Sequence, residues 1–77
     1  MILPPPKPRP LLLSIIIPVF NEVSSLVEVV DRALSIPLPE GLERELIVVD
    51  DGSTDGTSEL LRRYQDHPAV KIHFSVL

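Results

Sequence analysis

Asp50 and Asp51 follow the apolar run Leu46-Ile47-Val48-Val49 and precede Gly52, so two carboxylates stand where a hydrophobic stretch abruptly ends. Four consecutive apolar residues, two of them valine, fit a strand buried on both faces of a parallel sheet. The pair then lies at the carboxyl end of that strand, the edge at which open α/β sheets receive ligands. An ionised carboxylate only accepts hydrogen bonds, so this chemistry suits the N–H and O–H donors of a ligand. Gly52 permits a tight turn. Ser53, Thr54 or Asp55 can cap a following helix whose first N–H groups point back to the same crevice. A further carboxylate, Glu22, comes just after a second apolar run, Ser14-Ile15-Ile16-Ile17, and the exit Pro18-Val19-Phe20-Asn21. Adjacent residues on an extended chain project to opposite faces, so Asp50 and Asp51 are poorly placed to chelate one ion. No metal ligand set is assigned.

The elements that must position these groups are legible as periodicities. Leu11 to Ile17 predicts a first strand, closed by Pro18, which cannot donate to a ladder. Asn21 is a candidate N-cap for a helix whose apolar face is Val23, Leu26, Val27, Val30 and Leu34. Two prolines and a glycine make Ile36 to Arg44 a loop. Two buried strands joined by one helix form a right-handed βαβ unit, which brings Pro18 to Glu22 beside Asp50 to Ser53. Leu60, Leu61 and Tyr64 mark a shorter helix ending near His67-Pro68, and Ala69 to Leu77 alternates well enough for a third, less buried strand. The fold class is α/β: a β-α-β-α-β, Rossmann-like half-sheet of parallel strands in the order 3-2-1.

Composition narrows the function. The 77 residues make one small domain at most, and a hydrophobic share of 44% argues against disorder. A net charge of −4 argues against nucleic acid, because no basic face exists to neutralise phosphates. Without cysteine there is no disulfide framework or thiolate metal site. No apolar run approaches the ~20 residues of a membrane span and no signal peptide is visible, so a soluble, cytoplasmic chain is the default. Residues 1–10 hold a proline-rich sequence expected to be a disordered tail, and 11–77 the ordered part. Pro5 and Pro8 have P-x-x-P spacing beside Lys7 and Arg9, a ligand pattern for proline-binding modules, against which stands the plain reading of an unstructured leader.

Two motifs carry a resemblance. Ser14-Ile15-Ile16-Ile17-Pro18-Val19-Phe20-Asn21-Glu22, followed by Glu45 to Thr57 with its Val-Val-Asp-Asp-Gly-Ser-Thr-Asp-Gly-Thr ending, resembles the opening of a glycosyltransferase family 2 enzyme. The wording is similar to that of the polyprenyl-phosphate and dolichyl-phosphate sugar transferases. The resemblance spans about Leu12 to Tyr64 and implies a GT-A fold in which the two loops hold the nucleoside of a UDP- or GDP-sugar. It implies that Pro18, Phe20 and Glu22 border base and ribose, with Glu22 accepting from ribose hydroxyls. It also implies that Asp51 accepts from a base N–H, with Asp50 beside it in the substrate-binding set. Ser53 reads as the helix cap.

The plain alternatives for these residues are packing for Phe20 and first-turn, dipole-favoured carboxylates for Glu22 and Asp55. Tyr64 reads as core, while His67 and His73 lack a partner that would make them catalytic. A receiver-type phospho-acceptor site fits poorly, because it expects a carboxylate pair after the first strand and another Asp after the third.

In relatives the D-x-D motif that holds Mg²⁺ or Mn²⁺ comes after a further helix and strand, and the catalytic base later still. The expectation is therefore a truncated N-terminal segment, with no catalytic residue of its own. Sugar transfer needs an acceptor activated by a base and a diphosphate leaving group stabilised by cationic charge. A complete form would take a divalent metal and an acceptor such as a polyprenyl phosphate, with membrane association as an option. The alternative is a non-catalytic, truncated nucleotide-binding remnant.

Overall fold

In the computed structural model, which describes residues 2–3 and 11–75, the chain runs β1 (Leu11–Val19), α1 (Leu26–Ser35), β2 (Leu42–Asp50), α2 (Thr57–Leu61), a 3₁₀ turn (Arg62–Tyr64) and β3 (Val70–Phe74). The strands form one parallel sheet in the order β1-β2-β3, with β2 in the centre. Register pairs Leu11 with Leu42 and Val19 with Asp50, and Asp50 in turn with Phe74, so the carboxyl ends of all the strands lie along one edge. Residues 1 and 4–10 of the expected proline-rich tail lie outside those described, as do Val76 and Leu77 at the end of the expected third strand.

The core lies on one face of the sheet. Ile15, Ile17 and Val19 of β1, Leu46 and Val48 of β2, and Val70, Ile72 and Phe74 of β3 turn toward Leu26, Val30, Ala33 and Leu61. Both helices pack there because successive right-handed crossovers that step the same way across a sheet emerge on the same side. The expectation of strands buried on both faces is therefore corrected. Ile16 is 66% exposed and Leu12 56%, on the face that no helix among the described residues covers. A continuous apolar run reports that a strand lies in a parallel sheet, not that this length of chain covers both of its sides.

Several boundaries also move. β1 continues through Pro18 to Val19, because β1 is an edge strand and the missing N–H of Pro18 faces no neighbour. Asn21 is not the N-cap of α1. It sits at φ +50°, and the helix begins at Leu26 after a turn in which the Glu22 carbonyl accepts from the amides of Ser25 and Leu26. Val23, ahead of the helix, and Val27, on the flank of it, are exposed, and the buried face is Leu26, Val30 and Ala33. β2 begins at Leu42, inside the stretch expected to be loop. Arg44 lies in that added length, and its guanidinium donates to the carbonyls of Ala33 (2.6 Å) and Ile36, satisfying acceptors at the end of α1. Tyr64 is half-buried against the core, and its hydroxyl donates to Asp31 Oδ1 at 3.3 Å.

Candidate functional site

The loop after β1 and the loop after β2 are fastened to each other at the carboxyl edge of the sheet. The Asp51 amide donates to the Val19 carbonyl at 2.9 Å, which closes the ends of the two strands together. Beyond it the Asn21 amide donates to Ser53 Oγ (3.0 Å), the Thr54 amide to Asn21 Oδ1 (2.8 Å), the Glu22 amide to Thr57 Oγ1 (3.0 Å) and the Val23 amide to Asp55 Oδ2 (3.3 Å). The left-handed conformation of Asn21 is one that Asn tolerates better than most residues, because its short amide bonds locally. Gly52 and Gly56, at φ +83° and +97°, make the reversals of the second loop, where a side chain would add strain.

The two adjacent aspartates are in opposite situations. Asp50 is 1% exposed. Its Oδ1 accepts from the Ser53 amide (3.1 Å) and hydroxyl (2.6 Å), and its Oδ2 from the Ser58 hydroxyl. Burial pushes the Asp50 carboxyl up, but the Ser53 and Ser58 hydroxyls and the Ser53 amide outweigh it, and the group titrates below the usual carboxylate range. Asp51 is exposed, and its carboxylate makes no hydrogen bond among the described residues. The strand alternation that sends one side chain inward sends its neighbour outward. Asp55 also titrates low, chiefly because the Thr57 hydroxyl donates to it; partial desolvation opposes, and the Thr57 and Val23 amides assist.

Pro18, Phe20, Glu22 and Asp51 are all solvent-accessible along this edge, whereas Asp50 is enclosed beneath it. Phe20 is 56% exposed, so its ring is not part of the core and offers a face to a planar ligand. One carboxylate oxygen of Glu22 accepts from the Ser25 hydroxyl at 3.1 Å, and the other makes no hydrogen bond among the described residues. A cleft of about 230 Å³ between the end of β1 and the first turn of α1 is lined by Pro18 and Glu22, with Val19, Ser25 and Val29, and does not extend to Asp51. It is smaller than the roughly 300 Å³ at which ligand pockets begin.

Ser53 is not the helix cap: α2 starts at Thr57 after Gly56, and Ser53 instead bonds Asp50 and Asn21. The amide of Thr57 is met by Asp55 Oδ1 at 3.0 Å. The structural roles of Asn21, Ser53, Thr57 and Ser58 escaped the sequence reading. Their only signal was the density of short polar side chains around the glycines, a composition that favours local backbone bonding. Among the described residues no three carboxylate or histidine side chains gather as a metal site, and both oxygens of Asp50 are already engaged. No helix among the described residues is long and apolar enough to cross a membrane.

This two-loop edge on a parallel βαβαβ sheet coincides with a match to the description "Glycosyl transferase family 2" over residues 14–76, and the chain belongs to that family. Similar curated proteins are the undecaprenyl-phosphate 4-deoxy-4-formamido-L-arabinose transferases. That of Edwardsiella ictaluri is 37% identical over 59 residues, covering 77% of this chain and 18% of the relative. That of Pseudomonas aeruginosa strain LESB58 is 46% identical over 57 residues, covering 73% and 17%. That of Pectobacterium carotovorum is 41% identical over 59 residues, covering 77% and 18%. The chain thus spans less than a fifth of the length of these relatives. No solved structure gives a significant match.

Proposed function

We propose that this chain is the nucleoside-binding opening of a GT-A-type domain, a half-sheet read 3-2-1 from its far edge. In complete form the domain transfers a sugar from a UDP- or GDP-sugar to a polyprenyl phosphate. The observation that carries the reading is the fastening of the Pro18–Glu22 loop to the Asp51–Thr57 loop. It sets the Asp51 carboxylate and the free carboxylate oxygen of Glu22 along one strand edge. Carboxylates accept from hydroxyl and ring N–H donors, which an uncharged nucleoside offers, whereas phosphate meets two carboxylates as a like charge. Phe20 supplies a stacking surface and Pro18 a rigid wall. Asp50 contributes from below by holding the loop.

The acceptor class rests on the names of the relatives. The transfer itself would take place in the complete enzyme, with Mg²⁺ or Mn²⁺ stabilising the diphosphate leaving group.

The test is a titration of the isotopically labelled 77-residue chain with UDP and with GDP, using inorganic phosphate as the control. Saturable shifts centred on Glu22 and Asp51 with a nucleotide, and none with phosphate, are expected. Shifts of equal size with phosphate alone, or none with either nucleotide at millimolar concentration, would remove the assignment.

A further inference from the structure

Three successive amides of the first loop, those of Asn21, Glu22 and Val23, are all spent on side-chain oxygens of the second: Ser53 Oγ, Thr57 Oγ1 and Asp55 Oδ2. Two of these acceptors are hydroxyls, which carry one proton and can also donate. The direction of that proton is decided by a carboxylate. Ser53 Oγ lies 2.6 Å from Asp50 Oδ1, and Thr57 Oγ1 is in close contact with Asp55 Oδ1. An ionised carboxylate has nothing to donate, so each hydroxyl gives it its proton and turns a lone pair to the incoming amide. Two parallel relays result: Asp50 to Ser53 to the Asn21 amide, and Asp55 to Thr57 to the Glu22 amide. Charge-assisted bonds are the stronger kind, and here each orients the bond that follows it.

We propose that Asp50 and Asp55 are positioning residues that act through the hydroxyls of Ser53 and Thr57 to hold the Asn21-Glu22 backbone, and with it the carboxylate of Glu22, in its ligand-ready place. Neither aspartate touches the ligand. The functional half of this proposal rests on the nucleotide-binding reading above; the relay itself does not. The low titration of both carboxyls keeps them ionised, and the relays directed, throughout the neutral range.

Amide hydrogen exchange on the ligand-free 77-residue chain, followed by UDP and GDP titration, tests it. Thr57→Val keeps the shape of this fully buried side chain and removes the hydroxyl, while Thr57→Ser keeps the hydroxyl. Thr57→Val is expected to speed exchange at Glu22 about tenfold, the size of one net hydrogen bond, with the core amide of Val48 unchanged. It is also expected to weaken the nucleotide Kd about tenfold. Thr57→Ser is expected to restore both to within about twofold, by the same hydrogen-bond measure. Ser53→Ala is expected to speed exchange at Asn21 instead.

Unchanged exchange at both Glu22 and Asn21 overturns the relay, as does a loss spread evenly over the chain in both variants. Faster exchange with an unaltered Kd overturns the positioning role. Failure of the parent chain to bind nucleotide removes the reading above it, and the exchange pattern still decides the relay.

Discussion

Adjacent aspartates, identical in chemistry, are expected to give opposite phenotypes when each is replaced by alanine. Asp50→Ala removes a 1% exposed carboxylate that accepts from the Ser53 amide, the Ser53 hydroxyl and the Ser58 hydroxyl. Hydrogen bonds to a charged group contribute about 1.5–3 kcal/mol each, but they are not additive. Losing the charge also recovers its desolvation cost. The net loss is then about 3 kcal/mol. At about 0.05–0.15 kcal/mol per residue, 77 residues hold only about 4–12 kcal/mol in all, so this is a large fraction.

With a urea m-value of about 1 kcal/mol/M for a chain this small, the midpoint followed by circular dichroism should fall by about 3 M. Asp51→Ala removes an exposed carboxylate with no partner among the described residues. It should stay within about 0.5 kcal/mol of the parent, as surface changes do, while losing nucleotide-induced shifts. Two equal midpoints would refute the division of labour, and so would Asp51→Ala being the less stable of the pair.

Acid should loosen the edge of the sheet before it unfolds an ordinary surface. Asp50 and Asp55 both titrate lower when folded than when unfolded, so their contribution is complete above the unfolded carboxylate range near pH 4 and fades as the pH falls through their folded values. Urea midpoints should therefore be flat from about pH 5 to 7 and drop below about 4, and the drop should be smaller in Asp50→Asn. Gly52→Ala should cost about 1–2 kcal/mol from its φ of +83° alone, since nothing lies within 4 Å of the added Cβ; Gly52→Asn should cost less, again by urea titration. Leu46→Ala, at a side chain with no exposure in the central strand, should cost about 2–5 kcal/mol and broaden amide signals across the sheet.

Much of the architecture is written in local pattern. The apolar runs at Leu11 to Ile17 and Leu46 to Val49 become parallel strands, a helix lies between them, and the carboxylates of Glu22 and Asp51 emerge at the same sheet edge. These follow from the sequence because side-chain period and chain connectivity are properties of consecutive residues, and a single crossover must return both strand ends to one side.

Only the tertiary structure decided what each polar residue does there. Whether Asp50 or Asp51 faces inward depends on which face of β2 the helices cover, and that depends on packing against Leu26, Val30 and Leu61 far along the chain. Because both described helices pack on one face, Ile16 on the other is 66% exposed although its run reads as fully buried. Asn21, Ser53 and Thr57 are separated by more than thirty residues from one loop to the other, so their bonds exist only once the sheet has aligned the loops. Sequence determines which groups are present and on which edge they gather. Three-dimensional contact determines which are spent on holding the edge and which keep no partner among the described residues, because a hydrogen-bonding atom can be occupied by a partner of any sequence distance.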